Sequence, residues 1–238
     1  MRDINTENIV KRYGTGANLV TAIGGVTLGI TAGEFVAIMG ESGSGKSTLL
    51  SMLGGLNAPT SGSLSVDGVD IYALASDERA DFRQRSIGFV FQNFNLLPYL
   101  TIAENVMLPL AIVGMSKKKK LTAAIDALAR VGLAEKAARL PNQISGGEQE
   151  RVAIARAIVN KPPIILADEP TGNLDTHTGA EIMKLLTALN QDGITVIMVT
   201  HSNEYALYTR RRVKLADGLL ADEDGEVCFP VARATGQG

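Results

Sequence analysis

The sequence predicts an α/β fold in which helices cover both faces of a parallel sheet. Short apolar runs without polar alternation occupy residues 35–39, 164–167 and 195–200, as expected of strands buried on both faces. Between the last two runs, apolar residues recur at helical spacing over 182–189, which indicates an amphipathic helix. Buried strands that alternate with helices are typical of such a sheet. The pattern from 93 to about 160 is mainly helical, so we expect a helical insert.

Weaker signals predict the elements around this core. Residues 64–68 alternate in polarity and end in an Asp-Gly turn, and residues 87–92 form another apolar strand. We expect the flanking strands 64–68 and 213–220 to be antiparallel. Within the insert, apolar spacing predicts one helix from Leu121 and another from about Glu148.

Composition limits the size of the fold and the kinds of partner. The chain has 238 residues, enough for one large domain or for one domain with an inserted subdomain. Its formal net charge of −2 gives no electrostatic bias toward DNA or RNA, so we expect no nucleic-acid partner. Cys228 is the only cysteine, so we expect no disulfide partner, and a reducing compartment fits.

No segment of the sequence predicts a membrane anchor. Residues 1–7 lack the apolar core of a signal peptide. The longest apolar stretch, 96–115, is interrupted by Pro98 and Glu104 among other polar or proline residues. We interpret the four lysines 117–120 as a solvated loop before the helix at Leu121, with attraction to an anionic membrane as the weaker alternative. A role at a membrane would therefore need a separate partner.

Residues 40–47 form a phosphate-binding loop of the pattern G-x-x-x-x-G-K-[ST]. A buried strand precedes the loop and a helix follows it, so backbone N–H groups and the helix dipole point at one spot. Glycines at 40, 43 and 45 let the backbone curl around phosphate oxygens without a Cβ clash. Lys46 can reach the β- and γ-phosphates, and the Ser47 hydroxyl can ligate Mg²⁺. An ordinary glycine-rich turn would not need this complete pattern.

Two adjacent carboxylates, Asp168 and Glu169, follow the apolar run 164–167. The carboxyl end of a strand is where α/β proteins bind ligands. Asp168 can hold Mg²⁺, directly or through a water, and Glu169 can polarise a water in line with the γ-phosphate. Alone, Asp-Glu after a strand is common, but the phosphate loop upstream favours the functional interpretation.

A third motif, Ser145-Gly146-Gly147-Glu148, opens the helix that follows it. A capping box explains Ser145 and Glu148, but it does not require two glycines. A bare Ser-Gly-Gly helix N-terminus is also a good anion site. With these motifs in this order and spacing, the chain resembles the ATP-binding subunit of an ABC transporter over nearly its whole length.

The resemblance implies a P-loop NTPase (RecA-like) core with an antiparallel β subdomain and an inserted α-helical signature subdomain. The core and the β subdomain would cover residues 1–92 and 161–238, and the helical subdomain residues 93–160. Two such subunits would pack head to tail around two ATP molecules, as a homodimer. They would attach to a membrane permease at the cytoplasmic face of the plasma membrane.

The resemblance also implies a role for each site residue. One face of ATP would contact Gly40, Glu41, Ser42, Gly43, Ser44, Gly45, Lys46, Ser47 and Thr48. The γ-phosphate would also contact Ser145, Gly146 and Gly147 from across the dimer, and Asp175 would lie at the dimer interface. Gln92 would contact Mg²⁺ and the attacking water, together with Ser47 and Asp168 as metal-binding residues and Glu169 as the base. His201 would contact the γ-phosphate, and Tyr13 would stack on adenine, worth roughly 0.5–1.5 kcal/mol beyond burial.

Residues 145–147 match the core of the family's signature motif. The motif departs from the family pattern at Ile144, where leucine is usual, and at Glu148, where glutamine is usual. Ile for Leu keeps the volume, and Glu148 can point back to cap its own helix. The motifs look most like the subgroup that releases lipoproteins or exports macrolides. Two alternatives remain: an ATP-gated regulator of a membrane partner that controls cell-wall hydrolysis, and a soluble ABC-type ATPase that acts on ribosomes or DNA. The acidic balance and the single cassette disfavour the second.

The segment 94–100 is more apolar than an ordinary surface loop. We expect part of it to pack into the helical subdomain. The rest, including Tyr99 and Leu100, is predicted to line a groove beside Gln92 that receives a short helix of the permease.

Overall fold

The computed structural model describes residues 3–224, which form two β-sheets and the helices around them. The strands are β1 Ile4–Tyr13, β2 Val20–Ile30, β3 Phe35–Met39, β4 Ser61–Val66, β5 Val69–Asp70, β6 Ile87–Val90, β7 Ile164–Asp168, β8 Thr195–Thr200, β9 Arg211–Ala216 and β10 Leu219–Asp224. The helices are α1 Lys46–Leu53, α2 Ser76–Ser86, α3 Ile102–Met107, α4 Lys117–Arg130, α5 Gly146–Ile158, α6 Thr176–Gln191 and α7 Asn203–Ala206. Single 3₁₀ turns lie at 16–18, 108–110, 134–136 and 141–143.

The larger sheet has six strands in the order β10-β9-β3-β8-β7-β6. All neighbouring pairs are parallel except β9 and β10. The predicted α/β class with a mainly parallel sheet is therefore confirmed. The prediction of one antiparallel strand over 213–220 is wrong in detail, because an Asp217-Gly218 turn divides the segment into a hairpin. Its first strand, β9, is parallel to β3, and only β10 runs the other way.

The smaller sheet is antiparallel, with the order β2-β1-β4-β5. The strand predicted over 64–68 is part of this sheet, but it begins earlier and ends at Val66. Asp67 and Gly68 both have positive φ, at 54° and 75°, which makes the tight turn that joins β4 to β5.

Apolar side chains form one core on each face of the larger sheet. One core joins the sheet to α1 and to the smaller sheet, with Leu49, Met52 and Ile9 fully buried. The other joins the sheet to α3–α6, with Ile154 and Leu186 fully buried. The central strand β8 is buried along its whole length, as predicted for a strand covered on both sides. Packing in these two cores fixes the positions of the strands, and the predicted site residues follow the ends of those strands.

Between β6 and β7 the chain leaves the sheet and forms α3, α4 and α5. The prediction of helix from residue 93 onward is wrong for 93–101, which precedes α3. The lysine run is not a loop either, because α4 begins at Lys117 and the Ser116 side chain caps it by accepting from Lys119 N. The division at residues 92/93 and 160/161 stays a prediction. Every helix in the described part of the chain is too short or too polar to span a bilayer.

The Asp217-Gly218 turn connects both sheets to the phosphate loop. Gly218 N donates to Ser44 O at 3.0 Å, and Gly24 N in β2 donates to Gly218 O at 2.8 Å. Gly218 has a φ of 76°, and a Cβ on it would lie 2.7 Å from Ala22 O, so only glycine fits here. The predicted frayed tail 232–238 and Cys228 lie outside the described residues.

Candidate functional site

A cavity of about 620 Å³ lies at the carboxyl ends of the parallel strands, around the phosphate loop. Its lining residues are Ala22, Glu41, Ser42, Gly43, Gly45, Lys46, Ser47, Thr48, Gln92, Glu169 and His201. Residues predicted from four separate segments thus line one cavity. This is the position in a parallel sheet where ligands bind, because strand ends and helix N-termini meet there.

The phosphate loop has the backbone that its glycines predict. Gly40 has a φ of 156°, and a Cβ there would lie 2.2 Å from Leu215 O, so the loop packs directly against β9. Gly45 has a φ of 101° and precedes α1, whose N-terminus opens toward the cavity. Lys46 Nζ donates to Gly40 O at 2.8 Å and to Glu41 O at 2.7 Å. An ammonium has three N–H donors, so one remains for a phosphate oxygen.

Ser47 and Asp168 are the pair predicted to bind Mg²⁺. Ser47 Oγ donates to Asp168 Oδ1 at 3.0 Å, which joins the start of α1 to the end of β7. Burial raises the pKa of Asp168, and the nearby Glu169 carboxylate raises it further, while the Ser47 hydroxyl and Lys46 lower it. A hydroxyl and a half-buried carboxylate fit a hard divalent ion, which prefers oxygen ligands. The described residues include no cluster of three acidic, histidine or cysteine side chains that would form a complete protein cage for a metal.

Glu169 and His201 face each other across the end of the sheet. His201 Nδ1 lies 2.9 Å from the Glu169 carboxylate. The Glu169 side chain is only 12% exposed, whereas that of His201 is 67% exposed. Glu169 has a φ of 48°, unusual for a residue with a side chain, and its N–H donates to Val199 O at 3.0 Å. The left-handed turn directs the carboxylate into the cavity, next to an accessible imidazole.

Gln92 lines the same cavity, and its backbone oxygen accepts from Asn173 Nδ2 at 2.8 Å. This bond connects the end of β6 with the loop after Glu169. Tyr13 does not line the cavity. It lies at the exposed end of β1, 44% accessible, where its hydroxyl accepts from Asn57 Nδ2 and Lys11 Nζ is 5.1 Å from its ring centre. Its predicted adenine contact stays a prediction.

The remaining predicted residues form a second cluster, at the N-termini of α5 and α6. Ser145 caps α5 and Asp175 caps α6, where its carboxylate accepts from Thr178 N at 3.0 Å. A Cβ on Gly147 would lie 2.2 Å from Thr178 Cγ2, so the two helix ends are in close contact. Ser145 and Gly146 are exposed. None of these residues lines the phosphate-loop cavity.

A family model described as ABC transporter matches residues 23–172. The chain belongs to the ABC transporter family. Its cassette is an ABC-type ATPase with the predicted P-loop NTPase core, and the cavity around the phosphate loop is the candidate nucleotide site.

Three comparisons illustrate how similar this ABC cassette is to other family members. Macrolide export ATP-binding/permease protein MacB of Syntrophobacter fumaroxidans is 47% identical over 227 residues, which cover 94% of this chain and 32% of that protein. The chain thus spans about a third of the length of this curated relative. The uncharacterized ABC transporter ATP-binding protein YknY of Bacillus subtilis is 49% identical over 215 residues, 90% of this chain and 94% of that one. A dimeric post-hydrolysis structure of the ATP-binding cassette MJ0796, bound to ADP and Pi, superposes with a TM-score of 0.87 at 45% identity, and covers 95% of this chain and 100% of that one.

The cassette also has a groove beside the site. It is a cavity of about 430 Å³ against β6, and its lining includes Phe89, Phe91, Leu108 and Ile112. Ile112 is 74% exposed. A groove near Gln92 was predicted, but Tyr99 and Leu100 do not line this one. Tyr99 is itself 74% exposed, in the turn that precedes α3.

Sequence reasoning missed two features of α5. Lys136, in the 3₁₀ turn 134–136, forms an ion pair with Glu148. Glu150, two residues further on, is fully buried, and neither of its carboxylate oxygens has a hydrogen-bond partner among the described residues. Burial raises the pKa of Glu150 to about 8, although Arg156 opposes the shift. Charged residues in the first turns of a helix are normally interpreted as solvent-exposed. No sequence pattern therefore indicated the ion pair or the buried carboxyl group.

Proposed function

We propose that this cassette dimerises head to tail around two ATP molecules and drives a separate membrane permease at the cytoplasmic face of the membrane. The permease would be of the macrolide-export or lipoprotein-release type. The observation that carries the proposal is the separation of the predicted site residues into two clusters. One surrounds the phosphate loop, and the other is the exposed pair of helix N-termini at Ser145 and Asp175.

Each cluster is incomplete as an ATP site by itself. The phosphate-loop cavity has the cation, the carboxylates and the imidazole, but it is open to solvent on one side. The second cluster has an exposed helix N-terminus with Ser145 and Gly146, which is suited to an anion and has no charged group in that first turn except Glu148. A second copy of the chain, turned head to tail, would bring one cluster against the other and close both sites.

Within a closed site, the residues have separate tasks. Lys46 and the N-terminus of α1 bind the phosphates, because both concentrate positive potential there. The Glu169 carboxylate orients a water and accepts its proton as that water attacks the γ-phosphorus. An N–H at His201 Nδ1 donates to Glu169, which leaves Nε2 available for a γ-phosphate oxygen. Gln92 contacts the site from the segment just after β6, which is shorter than the strand predicted over 87–92, and links the site to the helical segment that follows.

Ser47 and Asp168, with Gln92 nearby, are the residues that would hold Mg²⁺. The ion would supply charge neutralisation for the β- and γ-phosphate oxygens. The raised pKa of Asp168 agrees with this role, because a buried carboxylate with another carboxylate beside it gains from a divalent cation.

The experiment that tests the dimer mixes two inactive variants. Lys46→Ala removes the cation of the phosphate loop, and Ser145→Arg places a bulky group on the exposed helix end. In a head-to-tail heterodimer, one composite site has neither lesion and the other has both. ATP-dependent dimerisation and hydrolysis, which neither variant shows alone, should therefore return in the mixture, with one working site in each heterodimer. Dimerisation is measured by size-exclusion chromatography and hydrolysis by phosphate release.

Controls separate this result from misfolding. Ser76→Arg, on the exposed start of α2, serves as the matched surface substitution and should behave as the parent. Gly147→Asp is unsuitable, because its Cβ would collide with Thr178, whereas Gly146→Asp has its nearest neighbour at 3.8 Å and is a second probe. Loss of ATP binding by the Ser145→Arg monomer, or no recovery on mixing, would contradict the head-to-tail arrangement.

A further inference from the structure

The structure contains an ion pair beside the signature motif that the proposed mechanism does not use. Glu148 is the third residue of α5, and Lys136 Nζ contacts its Oε1 from the 3₁₀ turn 134–136. The other oxygen, Oε2, accepts from Ser145 N at 3.0 Å, and Ser145 Oγ accepts from Glu148 N at 3.3 Å. Both oxygens of this carboxylate are therefore held by donors.

The Glu148 charge creates an electrostatic conflict at this helix end. The Lys136 ammonium and the Ser145 N–H lower the pKa of Glu148, so it is ionised at neutral pH. A carboxylate at the third position stabilises a helix N-terminus. The same N-terminus is where the proposed dimer would hold a γ-phosphate, and a second anion there repels it. The conflict arises because this chain has glutamate, and not the uncharged glutamine, at position 148.

We propose that Lys136 is a positioning residue for ATP hydrolysis: it neutralises Glu148 and holds it away from the γ-phosphate that this helix end receives. The inference rests on the proposed head-to-tail dimer. The side chains are 37% and 25% exposed, for Lys136 and Glu148 respectively, so the pair is only partly screened by water.

The backbone around Lys136 holds the lysine in a defined place. Ala103 N donates to Ala137 O at 2.9 Å, and Ile102 N donates to Arg139 O at 2.8 Å. These bonds attach the segment after Lys136 to the start of α3. Lys136 thus contacts α5 from a segment that is itself fixed to α3, and a shift of α3 would move the charge that balances Glu148.

A charge-rescue experiment tests the proposal. Lys136→Gln should leave ATP binding by the monomer within about twofold of the parent, but lower ATP-dependent dimerisation and hydrolysis at least about tenfold. Adding Glu148→Gln to this variant should restore hydrolysis to within about threefold, because no charge is left to neutralise. High salt should lessen the defect of Lys136→Gln, since screening weakens the repulsion. Lys118→Gln, on the exposed start of α4, is the matched control.

The outcomes distinguish this proposal from the one on which it rests. If Lys136→Gln hydrolyses ATP at the parental rate while Ser145→Arg is inactive, the role of Lys136 is overturned and the dimer proposal remains. Parental hydrolysis by Ser145→Arg would instead contradict the dimer proposal. A double variant as slow as Lys136→Gln, with no salt dependence, would mean that the pair only supports local structure, and would also overturn the inference.

Discussion

Glu169 is held in a left-handed backbone conformation, with a φ of 48°, at the point where β7 ends. Such a conformation costs of the order of 1–3 kcal/mol in a residue with a side chain, and it persists only where neighbours enforce it. Here the Glu169 N–H donates to Val199 O, and Gly172 N donates to Glu169 O at 2.9 Å. The strain aims one carboxylate into the cavity, while the preceding Asp168 stays with Ser47.

Replacing Glu169 tests its role as the base. Glu169→Gln keeps the side-chain shape and can keep the contact with His201, but an amide cannot accept a proton from water at neutral pH. Hydrolysis should fall by about 10²–10⁴-fold, while ATP binding and ATP-dependent dimerisation remain. Phosphate release and size-exclusion chromatography measure these properties, with Glu7→Gln on exposed β1 as the control. Near-parental turnover would move the base to another residue, with His201 the next candidate.

Most site residues could be predicted because short local patterns determine them. The glycines of the phosphate loop and the Asp168-Glu169 pair each follow an apolar strand, so their position at a strand end needs no tertiary information. The contact between Lys136 and Glu148 could not be predicted in this way. It depends on how the 3₁₀ turn 134–136 packs against α5, and no periodicity in the sequence specifies that packing.

Helix α5 combines an exposed polar N-terminus with a buried interior that includes a carboxyl group. Its first residues are capped by Ser145, and Glu150 then turns into the core between the helices. The nearest opposing charge is Arg156, which is largely occupied with the backbone oxygens of Phe94 and Asn95 at 2.6 Å. Burial without a hydrogen-bond partner favours the neutral acid. The helix therefore holds a proton that the unfolded chain would release.

The Glu150 proton should make stability depend on pH. The pKa is about 8 in the folded chain and has an ordinary value of 4.5 when unfolded. Between these values the folded state binds the extra proton, so the free energy of unfolding falls as pH rises. The slope should approach about 1.4 kcal/mol per pH unit for one proton. Urea unfolding at pH 6 and 7.5 should reveal it, and Glu150→Gln should remove it. Glu7→Gln should retain the parental slope, and an unchanged slope in Glu150→Gln would disprove the assignment.

Two helices differ from the sequence prediction, which had only strands and turns up to Gln92 and a loop at the four lysines 117–120. Helix α2 has almost no apolar stripe, and Ser86 is its only buried residue. Long basic side chains attach it: Arg83 Nη1 donates to Gly55 O at 3.0 Å, and Arg79 lies over the Tyr72 ring. Helix α4 begins with the lysines that were predicted to form a solvated loop, and their charge opposes the helix dipole. The Ser116 cap and the buried Leu128 compensate for that unfavourable charge.

At the scale of the whole molecule, the groove beside β6 is the surface that we expect the permease to occupy. Phe91 adjoins Gln92 and lines the groove, so a helix docked there would lie next to the nucleotide site. Ile112 and Leu108 project from the helical segment on the other side. A helix in this groove would therefore touch both β6, which ends two residues before Gln92, and the segment that leads to α4.

Charge substitutions locate the docking surface. Ile112→Glu should leave the chain folded, because this side chain is 74% exposed, and should leave ATP binding unchanged. Recovery of the membrane partner by affinity co-purification should fall at least about tenfold, since a carboxylate would be buried in an apolar contact. Tyr99→Glu changes an equally exposed side chain in the turn before α3, and it tests whether the surface extends to residues 99–100. Full recovery with both variants would place the docking surface elsewhere.

The apolar runs predicted that the central strands are parallel and covered on both faces. They did not predict how the two sheets join. The pattern of the first part of the chain, up to Gln92, predicts only strands and turns, without their partners. Their pairing as β2-β1-β4-β5 depends on contacts between residues far apart in the sequence, such as Ile4 with Val66. Local patterns determine what each segment can form, and packing across the molecule selects its neighbours.

The turn at Gly218 has a consequence for how this protein tolerates changes in chain length. The N–H of Gly218, 174 positions later in the chain, donates to Ser44 O, so the last hairpin of the described fold holds the phosphate loop in place. A truncation that removes this hairpin would loosen the phosphate loop, although none of the hairpin residues that the structure describes lines the cavity. An insertion in the same turn would do likewise. A segment added after β10 would leave this hydrogen bond intact, so a fusion at that end should disturb the phosphate loop less.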